Sequence, residues 1–323
     1  MQTTPIERDL PRVTLSADGY LFLTGGSNNT ANLYDPAYFA SHLPTQRWEQ
    51  TLAGRNQFFS THKTAWRMLL SPEKLSVYGH DIIRSIIGEH YRTPGCSFIA
   101  RYGGENLIYP RELLIAQSRH YAIYPKTDSH WQSIGAFITF QAIMSDLNFE
   151  IDPALYTSLE NVTLNYRGDL WSSAFPLVGR DAFLRKVTPP GIRMVYRNPI
   201  LGLKRKLHLD NEGGLHVGSH AIFYHSKAPR KESVILFGSS FSECRLECSL
   251  LTTIVCSYFE EVHFIWSANL DFDYIQRQRP NVVIVETPER FLTACPSDDL
   301  RIEKFGVALT ERWLERMANS PPN

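Results

Sequence analysis

The sequence has no net charge, few cysteines and no long apolar run. Its 33 basic residues balance 33 acidic ones, so no overall field attracts phosphate backbones or anionic membranes. Nucleic acid is therefore not an expected partner. The segment that comes closest to a basic cluster is residues 203–206. It precedes acidic residues at Asp210 and Glu212 and is interpreted as a solvated loop. Five cysteines in 323 residues do not suggest a disulfide scaffold, and we expect them in the core.

Targeting segments are also missing. The stretch from Met1 to Asp9 has neither the basic part nor the apolar part of a secretory leader. No run approaches the roughly 18 consecutive apolar residues that mark a membrane-spanning helix. The sequence as written therefore predicts a cytoplasmic chain without a membrane span, or a periplasmic one if a leader has been removed from it.

Motifs for nucleotides and metals are absent too. The chain contains no Gly-x-Gly-x-x-Gly, no P-loop and no His-Glu-x-x-His. Cys244 and Cys248 lie four residues apart in a segment predicted to be helical, but no second pair or nearby histidine completes a zinc site. We predict that the protein uses no metal and no cofactor.

The composition that remains is that of an ordinary globular protein, with 43% hydrophobic and 20% charged residues. The last third of the sequence gives the clearest secondary-structure signals. Apolar runs predict strands at 233–237, 262–266 and 281–286, and spacings of four predict helices at 243–260 and 272–278. This alternation predicts a parallel sheet covered by helices, in a single α/β domain over residues 1–323.

Earlier segments give weaker signals. Apolar runs predict strands at 19–23 and 71–78, while residues 31–70 suggest mixed helix and loop and residues 81–89 a short helix. An apolar alternation at 121–124 indicates a strand before a helix that begins near Ile134. The interval from about 150 to 230 predicts an irregular insertion with short strands at 194–196 and 221–224.

Three polar clusters follow predicted strands, where ligands bind in open parallel sheets. They are residues 128–130, 238–240 and 286–290. A tight Gly-Ser turn between a strand and a helix exposes a hydroxyl and aims backbone N–H groups at the same point, as acyl transfer requires. A serine nucleophile needs a histidine base oriented by a carboxylate, and His130 with Asp128 are candidates for that pair.

Each cluster also has a purely structural interpretation. Gly-Ser-Ser at a strand end is commonly a turn or a helix cap, and Asp128 can cap the helix that follows it. His130 alone is suited to a structural role, and Glu286 and Arg290, four residues apart, are suited to an ion pair. Only the combination of the clusters favours a catalytic site.

Taken together, the clusters resemble the AlgX/AlgJ-like family of alginate O-acetyltransferases. Residues 124–131 (Tyr-Pro-Lys-Thr-Asp-Ser-His-Trp) resemble its Tyr-x-Lys-Thr-Asp-x-His-Trp block, and residues 238–242 (Gly-Ser-Ser-Phe-Ser) resemble its Gly-x-Ser-[Tyr/Phe]-Ser nucleophile block. Further similar blocks occur in family order at 19–23, 72–78, 168–170 and 279–290.

The resemblance implies an SGNH-hydrolase-like parallel sheet flanked by helices, with a circularly permuted motif order because the Asp-x-His pair precedes the serine. By position in the blocks, it implies that Ser240 is the nucleophile, His130 the base and Asp128 the partner that orients it. Ser239 fills the variable position of its block and ranks second as nucleophile.

The implied activity is transfer of an acetyl group to a saccharide or polysaccharide hydroxyl through an acyl-enzyme. Ser239, Trp131 and Arg290 are candidates for substrate contacts. The acetyl donor is unknown: acetyl-coenzyme A suits a cytoplasmic protein, and a membrane-relayed acetyl group suits an exported one. Two alternatives stay open, a carbohydrate acetylesterase of the same fold and a catalytically inactive glycan-binding subunit.

Overall fold

The computed structural model describes residues 6–186, 189–207, 216–243 and 250–319. The strands of these residues are β1 (Val13–Leu15), β2 (Leu21–Leu23), β3 (Ala65–Ser71), β4 (Leu107–Ile108), β5 (Asn161–Tyr166), β6 (Asp181–Lys186), β7 (Ile192–Arg197), β8 (His220–His225), β9 (Arg230–Gly238), β10 (Phe259–Trp266) and β11 (Val282–Pro288). The helices are α1 (Pro36–His42), α2 (Thr45–His62), α3 (Lys74–Tyr78), α4 (His80–Ile87), α5 (Pro94–Tyr102), α6 (Arg111–Gln117), α7 (Ser133–Asp146), α8 (Pro153–Ser158), α9 (Pro199–Leu207), α10 (Leu251–Tyr258), α11 (Phe272–Gln278) and α12 (Ile302–Asn319).

A seven-stranded sheet with the order β4-β3-β11-β9-β10-β8-β7 forms the centre of the fold. In this order, the first five strands (β4, β3, β11, β9 and β10) are parallel to one another. Strand β8 pairs antiparallel with β10, and β7 pairs antiparallel with β8. The predicted α/β sheet flanked by helices is confirmed, but the sheet is mixed and not purely parallel. Its antiparallel strands β7 and β8 come from the interval near 150–230, which also forms the separate hairpin β5–β6.

Strand β11 shows why the sheet needs layers on both faces, because all seven of its residues are buried. Val282 and Ile284 point into one apolar cluster with residues of α7 and α10. Val283 and Val285 point into a second cluster with residues of α2 and α11. Alternate side chains of a strand face opposite sides, so a continuous Val-Val-Ile-Val run is what a central strand requires.

Two strand predictions are wrong. The segment predicted as a strand at 71–78 contains helix α3, and the strand lies earlier, at β3, within the segment predicted as helix and loop. A short run that is buried on both faces has no alternation to separate strand from helix. Residues 121–124 form no strand: Ile123 donates its backbone N–H to the Tyr78 hydroxyl at 2.9 Å, and Tyr124 donates its hydroxyl to the Pro72 carbonyl at 2.6 Å.

The helix predicted at 243–260 is shorter. Helix α10 ends at Tyr258, and Phe259 already begins strand β10. Residues 244–249, which include Cys244 and Cys248, lie outside the described residues. The predictions at 19–23, 81–89, 233–237, 272–278 and 281–286 are confirmed by β2, α4, β9, α11 and β11.

The basic cluster at 203–206 is not a loop but the end of α9. Lys204 is buried, and its ammonium lies 3.6 Å from the Glu243 carboxylate; Asp210 and Glu212 lie outside the described residues. Within the described ranges, no helix is long and apolar enough to cross a membrane.

Candidate active site

Ser240 lies in a tight turn directly after β9, at the carboxyl edge of the parallel part of the sheet. The turn is closed by the Ser242 N–H, which donates to the Ser239 carbonyl at 3.1 Å. A Cβ on Gly238 would lie 2.6 Å from the Ser242 Cβ, so the turn can close this tightly only with glycine at the strand end. The turn leaves Ser240 half-buried, whereas Ser239 and Ser242 point into the protein.

Glu286 on the neighbouring strand β11 anchors this turn. Its Oε2 accepts hydrogen bonds from the Ser239 N–H at 2.8 Å, the Ser239 hydroxyl at 2.7 Å and the Ser242 hydroxyl at 3.0 Å. Its Oε1 accepts from the Ser71 hydroxyl of β3 at 2.7 Å. Glu286 therefore binds the turn and not Arg290, and the ion pair interpreted from their spacing is wrong.

Asp128 and His130 lie in an irregular segment between α6 and α7. Asp128 Oδ1 accepts from the His130 backbone N–H and from the His130 ring Nδ1, both at 2.8 Å. His130 Nε2 lies 2.7 Å from the Ser240 hydroxyl. The structure thus joins the three residues in one hydrogen-bonded chain, although they come from segments 110 residues apart. Asp128 does not cap α7, whose N-cap is Gln132.

The surroundings of His130 tune its basicity. Burial by itself lowers its pKa, but the hydrogen bond to Asp128 and the charge of Asp128 outweigh burial and raise the pKa above 6.5. With Nδ1–H donating to the carboxylate, Nε2 carries the lone pair that faces the Ser240 hydroxyl. This arrangement is able to take up the Ser240 proton and to stabilise the resulting imidazolium.

A second carboxylate, Asp169, lies beside the first. Its two oxygens accept from the Ser129 N–H and the Ser129 hydroxyl, both at 2.7 Å. Asp128, His130 and Asp169 bring their ligand atoms within 4.8 Å of one another, a set that also has metal-binding donor types. Hydrogen bonds already engage Asp128 Oδ1 and both Asp169 oxygens, so the geometry favours an orienting role for these carboxylates.

Sequence reasoning missed Asp169 as a site residue, although the block at 168–170 was a signal. Gly168 is required there, because a Cβ at this position would lie 2.5 Å from the Asp128 Cα. The Gly168 N–H also donates to the Thr127 hydroxyl at 2.9 Å. The loop between β5 and β6 therefore packs directly on the segment that carries Asp128.

The predicted substrate contacts occupy more buried places than expected. Trp131 is fully buried, and its indole N–H donates to the Phe241 carbonyl at 3.0 Å, so it offers no face to a sugar. The Ser239 hydroxyl donates to Glu286 at 2.7 Å, and the hydroxyl beside His130 Nε2 is that of Ser240. Arg290 pairs with Glu73 at 2.9 Å, and its guanidinium carbon lies 5.5 Å from the Phe241 ring centre. Among these three, Arg290 stays a prediction for a substrate contact.

Glu286 leads to a prediction about stability. Glu286→Ala leaves four buried donors of Ser71, Ser239 and Ser242 without their acceptor. We expect the free energy of unfolding to fall by at least the cost of one unsatisfied buried donor, which is about 1–3 kcal/mol. Glu286→Gln is the matched control, because its amide oxygen still accepts from the turn while the Ser71 hydroxyl rotates to accept from the amide. Denaturant unfolding measures both; equal stability of Glu286→Ala and wild type would contradict the anchoring role.

The mixed sheet, its flanking helices and the serine at the sheet edge define an α/β fold that matches the SGNH-like type. Solved structures that share this fold include the following three. Bacillus cereus PatB1 has a TM-score of 0.54 at 13% identity, over 87% of this chain and 96% of that one. The O-acetyltransferase domain of Pseudomonas putida AlgJ has 0.51 at 15% identity, over 94% and 100%. A DHHW family protein from Eubacterium siraeum has 0.56 at 14% identity, over 88% and 96%.

At these identities the likeness establishes the fold. The AlgJ domain belongs to the family that the sequence blocks resemble, so the structural comparison and the block pattern agree. No protein-family model and no curated protein sequence matches the chain significantly.

Proposed function

We propose that this protein is a serine-dependent O-acetyltransferase that moves an acetyl group to a saccharide or polysaccharide hydroxyl through an acetyl-enzyme. The observation that carries the proposal is the hydrogen-bonded chain from Asp128 through His130 to Ser240. The fold shared with the AlgJ O-acetyltransferase domain supports the same class of reaction.

In the proposed first step, His130 Nε2 accepts the Ser240 proton while Oγ attacks the carbonyl carbon of the acetyl donor. Asp128 stabilises the imidazolium, which then returns its proton to the leaving group. The Ser240 backbone N–H has no acceptor among the described residues and is available to the developing oxyanion. In the second step, His130 deprotonates the acceptor hydroxyl, which attacks the acetyl carbon, and the imidazolium then gives this proton to Ser240 Oγ as the bond between Oγ and the acetyl carbon breaks.

We propose a permuted SGNH order for this site, in a single domain, because the Asp-x-His pair precedes the serine along the chain. The partners in the reaction are a saccharide acceptor and an acetyl donor, and the steps above need no metal or cofactor. The acetyl donor depends on the compartment. It is acetyl-coenzyme A if the protein is cytoplasmic, and a membrane-relayed acetyl group if the protein is periplasmic.

The experiment that tests the transfer follows the discharge of the acetyl-enzyme. The protein is acetylated with p-nitrophenyl acetate, freed of the reagent and mixed with candidate saccharides. For a transferase we expect one class of saccharide to speed up discharge and to gain about 42 Da, the mass of one acetyl group replacing a proton. Discharge to water alone, unchanged by any saccharide, would instead identify an acetylesterase.

A further inference from the structure

Lys74 is a buried lysine in a sequence block, residues 72–78, that the proposed mechanism does not use. It is the first residue of α3 and only 2% exposed. Its ammonium donates to three backbone carbonyls: Pro125 at 3.0 Å, Lys126 at 3.1 Å and Asp128 at 2.7 Å. All three N–H donors of the ammonium are therefore directed at the segment that carries Asp128 and leads to His130.

Residues 125–128 belong to no strand or helix, although the Lys126 carbonyl also accepts the Leu21 N–H of β2 at 2.9 Å. Buried carbonyl groups need a donor, and here a single cation supplies three. The ring centres of Tyr20 and Phe22 lie 5.9 Å and 5.6 Å from Nζ. Burying an ammonium is costly, so a lysine persists here only with these partners.

We infer that Lys74 is a positioning residue: its ammonium fixes the curvature of residues 125–128 and thereby aims the Asp128 carboxylate at the His130 ring. The inference rests on the proposed function for its effect on rate. Its geometric basis is that the shortest of the three bonds goes to Asp128 itself, whose Oδ1 lies 2.8 Å from His130 Nδ1. A displacement of about 1 Å in such a group costs on the order of 100-fold in rate.

The protonation of Lys74 makes this role sensitive to pH. Burial lowers the pKa of Lys74 from 10.5 to about 8, although nearby carboxylates oppose the shift. A neutral amine keeps two N–H donors and turns a lone pair toward the third carbonyl, so one of the three bonds is lost. The charged and titratable groups that face Lys74 are Tyr20, Glu73, Lys126, Asp128, Asp169 and Asp181.

We do not expect loss of this proton to destabilise the fold. The pKa of Lys74 is lower in the folded chain than in the unfolded one, so the unfolded state binds more protons between about pH 8 and 10.5. Where the unfolded state binds more protons, this group adds stability as pH rises. We therefore expect the rate of acetyl-enzyme formation to decline above about pH 8 while Lys74 itself causes no loss of stability.

The test compares Lys74→Met and Lys74→Arg with Lys126→Met, which removes a neighbouring exposed ammonium that donates to the Asp18 carbonyl and not to residues 125–128 in the described structure. The readout is the p-nitrophenol burst from p-nitrophenyl acetate between pH 6 and 10. We expect Lys74→Met to be about 10–100-fold slower at saturating ester, with no decline above pH 8. Lys126→Met should behave like wild type. Lys74→Arg keeps its charge and should move the decline to higher pH.

A wild-type rate and a wild-type alkaline decline in Lys74→Met would overturn the inference. If Lys74→Met does not fold, Lys74→Arg still decides, because an unshifted decline in that variant contradicts the role of Lys74. Amide hydrogen exchange of residues 126–131 gives a readout without activity, and we expect faster exchange in Lys74→Met. Faster exchange in a protein whose wild type forms no acetyl-enzyme would uphold the positioning role and reject the proposed function.

Discussion

Ser240→Ala should form no acetyl adduct and should lose about 10⁴–10⁶-fold of the turnover of an activated ester. The expectation follows from the site, because Ser240 is the hydroxyl that lies 2.7 Å from His130 Nε2. Without it, the imidazole has no nucleophile to activate. Intact-protein mass spectrometry after brief incubation with p-nitrophenyl acetate measures the adduct, a gain of about 42 Da in wild type alone.

Ser239→Ala is the matched control for that experiment. Ser239 is the adjacent serine, but its hydroxyl donates to Glu286 at 2.7 Å and serves the turn. We expect this variant to be acetylated, at a rate reduced by the looser turn. An adduct that persists in Ser240→Ala and vanishes in Ser239→Ala would identify Ser239 as the nucleophile. No adduct in wild type would favour the inactive glycan-binding subunit.

The parts of the fold that the sequence made visible are those with a local signal. Strands β9 and β11 are continuous apolar runs between polar turns, and α11 lies between β10 and β11 at the predicted residues. Strand β3 carried a similar run, but Pro72 was interpreted as marking the entry of a strand, and this placed the prediction at 71–78. Its place beside β11 depends on pairing with residues more than 200 positions away, which no local pattern contains.

In the candidate site, too, the residues with a local sequence signal were predictable, and those whose role depends on distant contacts were not. Asp128, His130 and Ser240 were accessible to sequence reasoning because each stands in a recognisable block. Glu286 was interpreted through its neighbour Arg290, yet its partner Ser239 lies 47 residues away in the chain. Trp131 was a candidate for a substrate contact, but its indole packs edge-on against Phe241, with 4.9 Å between the ring centres. Burial and long-range hydrogen bonds decide such roles, and composition or spacing does not encode them.

The three sequence blocks at 72–78, 124–131 and 279–290 are physically one unit. Glu73 pairs with Arg290, and its backbone N–H donates to Glu289 at 2.7 Å. Glu289 also accepts from the Ser76 hydroxyl at 2.5 Å and, through its other oxygen, from the Gly95 N–H at 2.9 Å. Because Lys74 next to Glu73 holds the segment of Asp128, the block at 72–78 connects the two other blocks behind the site.

Asp128→Asn should lower the rate of acetyl-enzyme formation by about 10⁴-fold while leaving the fold intact. An amide group in place of the carboxylate can donate to His130 Nδ1, which then carries the lone pair. The proton moves to Nε2, and the ring no longer accepts from Ser240. The asparagine also removes the two largest causes that raise the pKa of His130, whereas burial, which lowers it, remains beside the smaller opposing effect of Asp169. The acid limb of the residual activity should therefore move to lower pH.

Asp169→Asn separates this effect from a general loss of negative charge. Asp169 lies in the same cluster, but its oxygens bind Ser129 and not the His130 ring. We expect Asp169→Asn to keep activity within about 10–100-fold of wild type, the range of a modest displacement, with the acid limb moved far less. Burst kinetics of both variants from pH 5 to 8 provide the comparison. The group that orients His130 controls both the tautomer and the pKa of the ring. If Asp169→Asn shifts the acid limb and Asp128→Asn does not, Asp169 is therefore the orienting carboxylate.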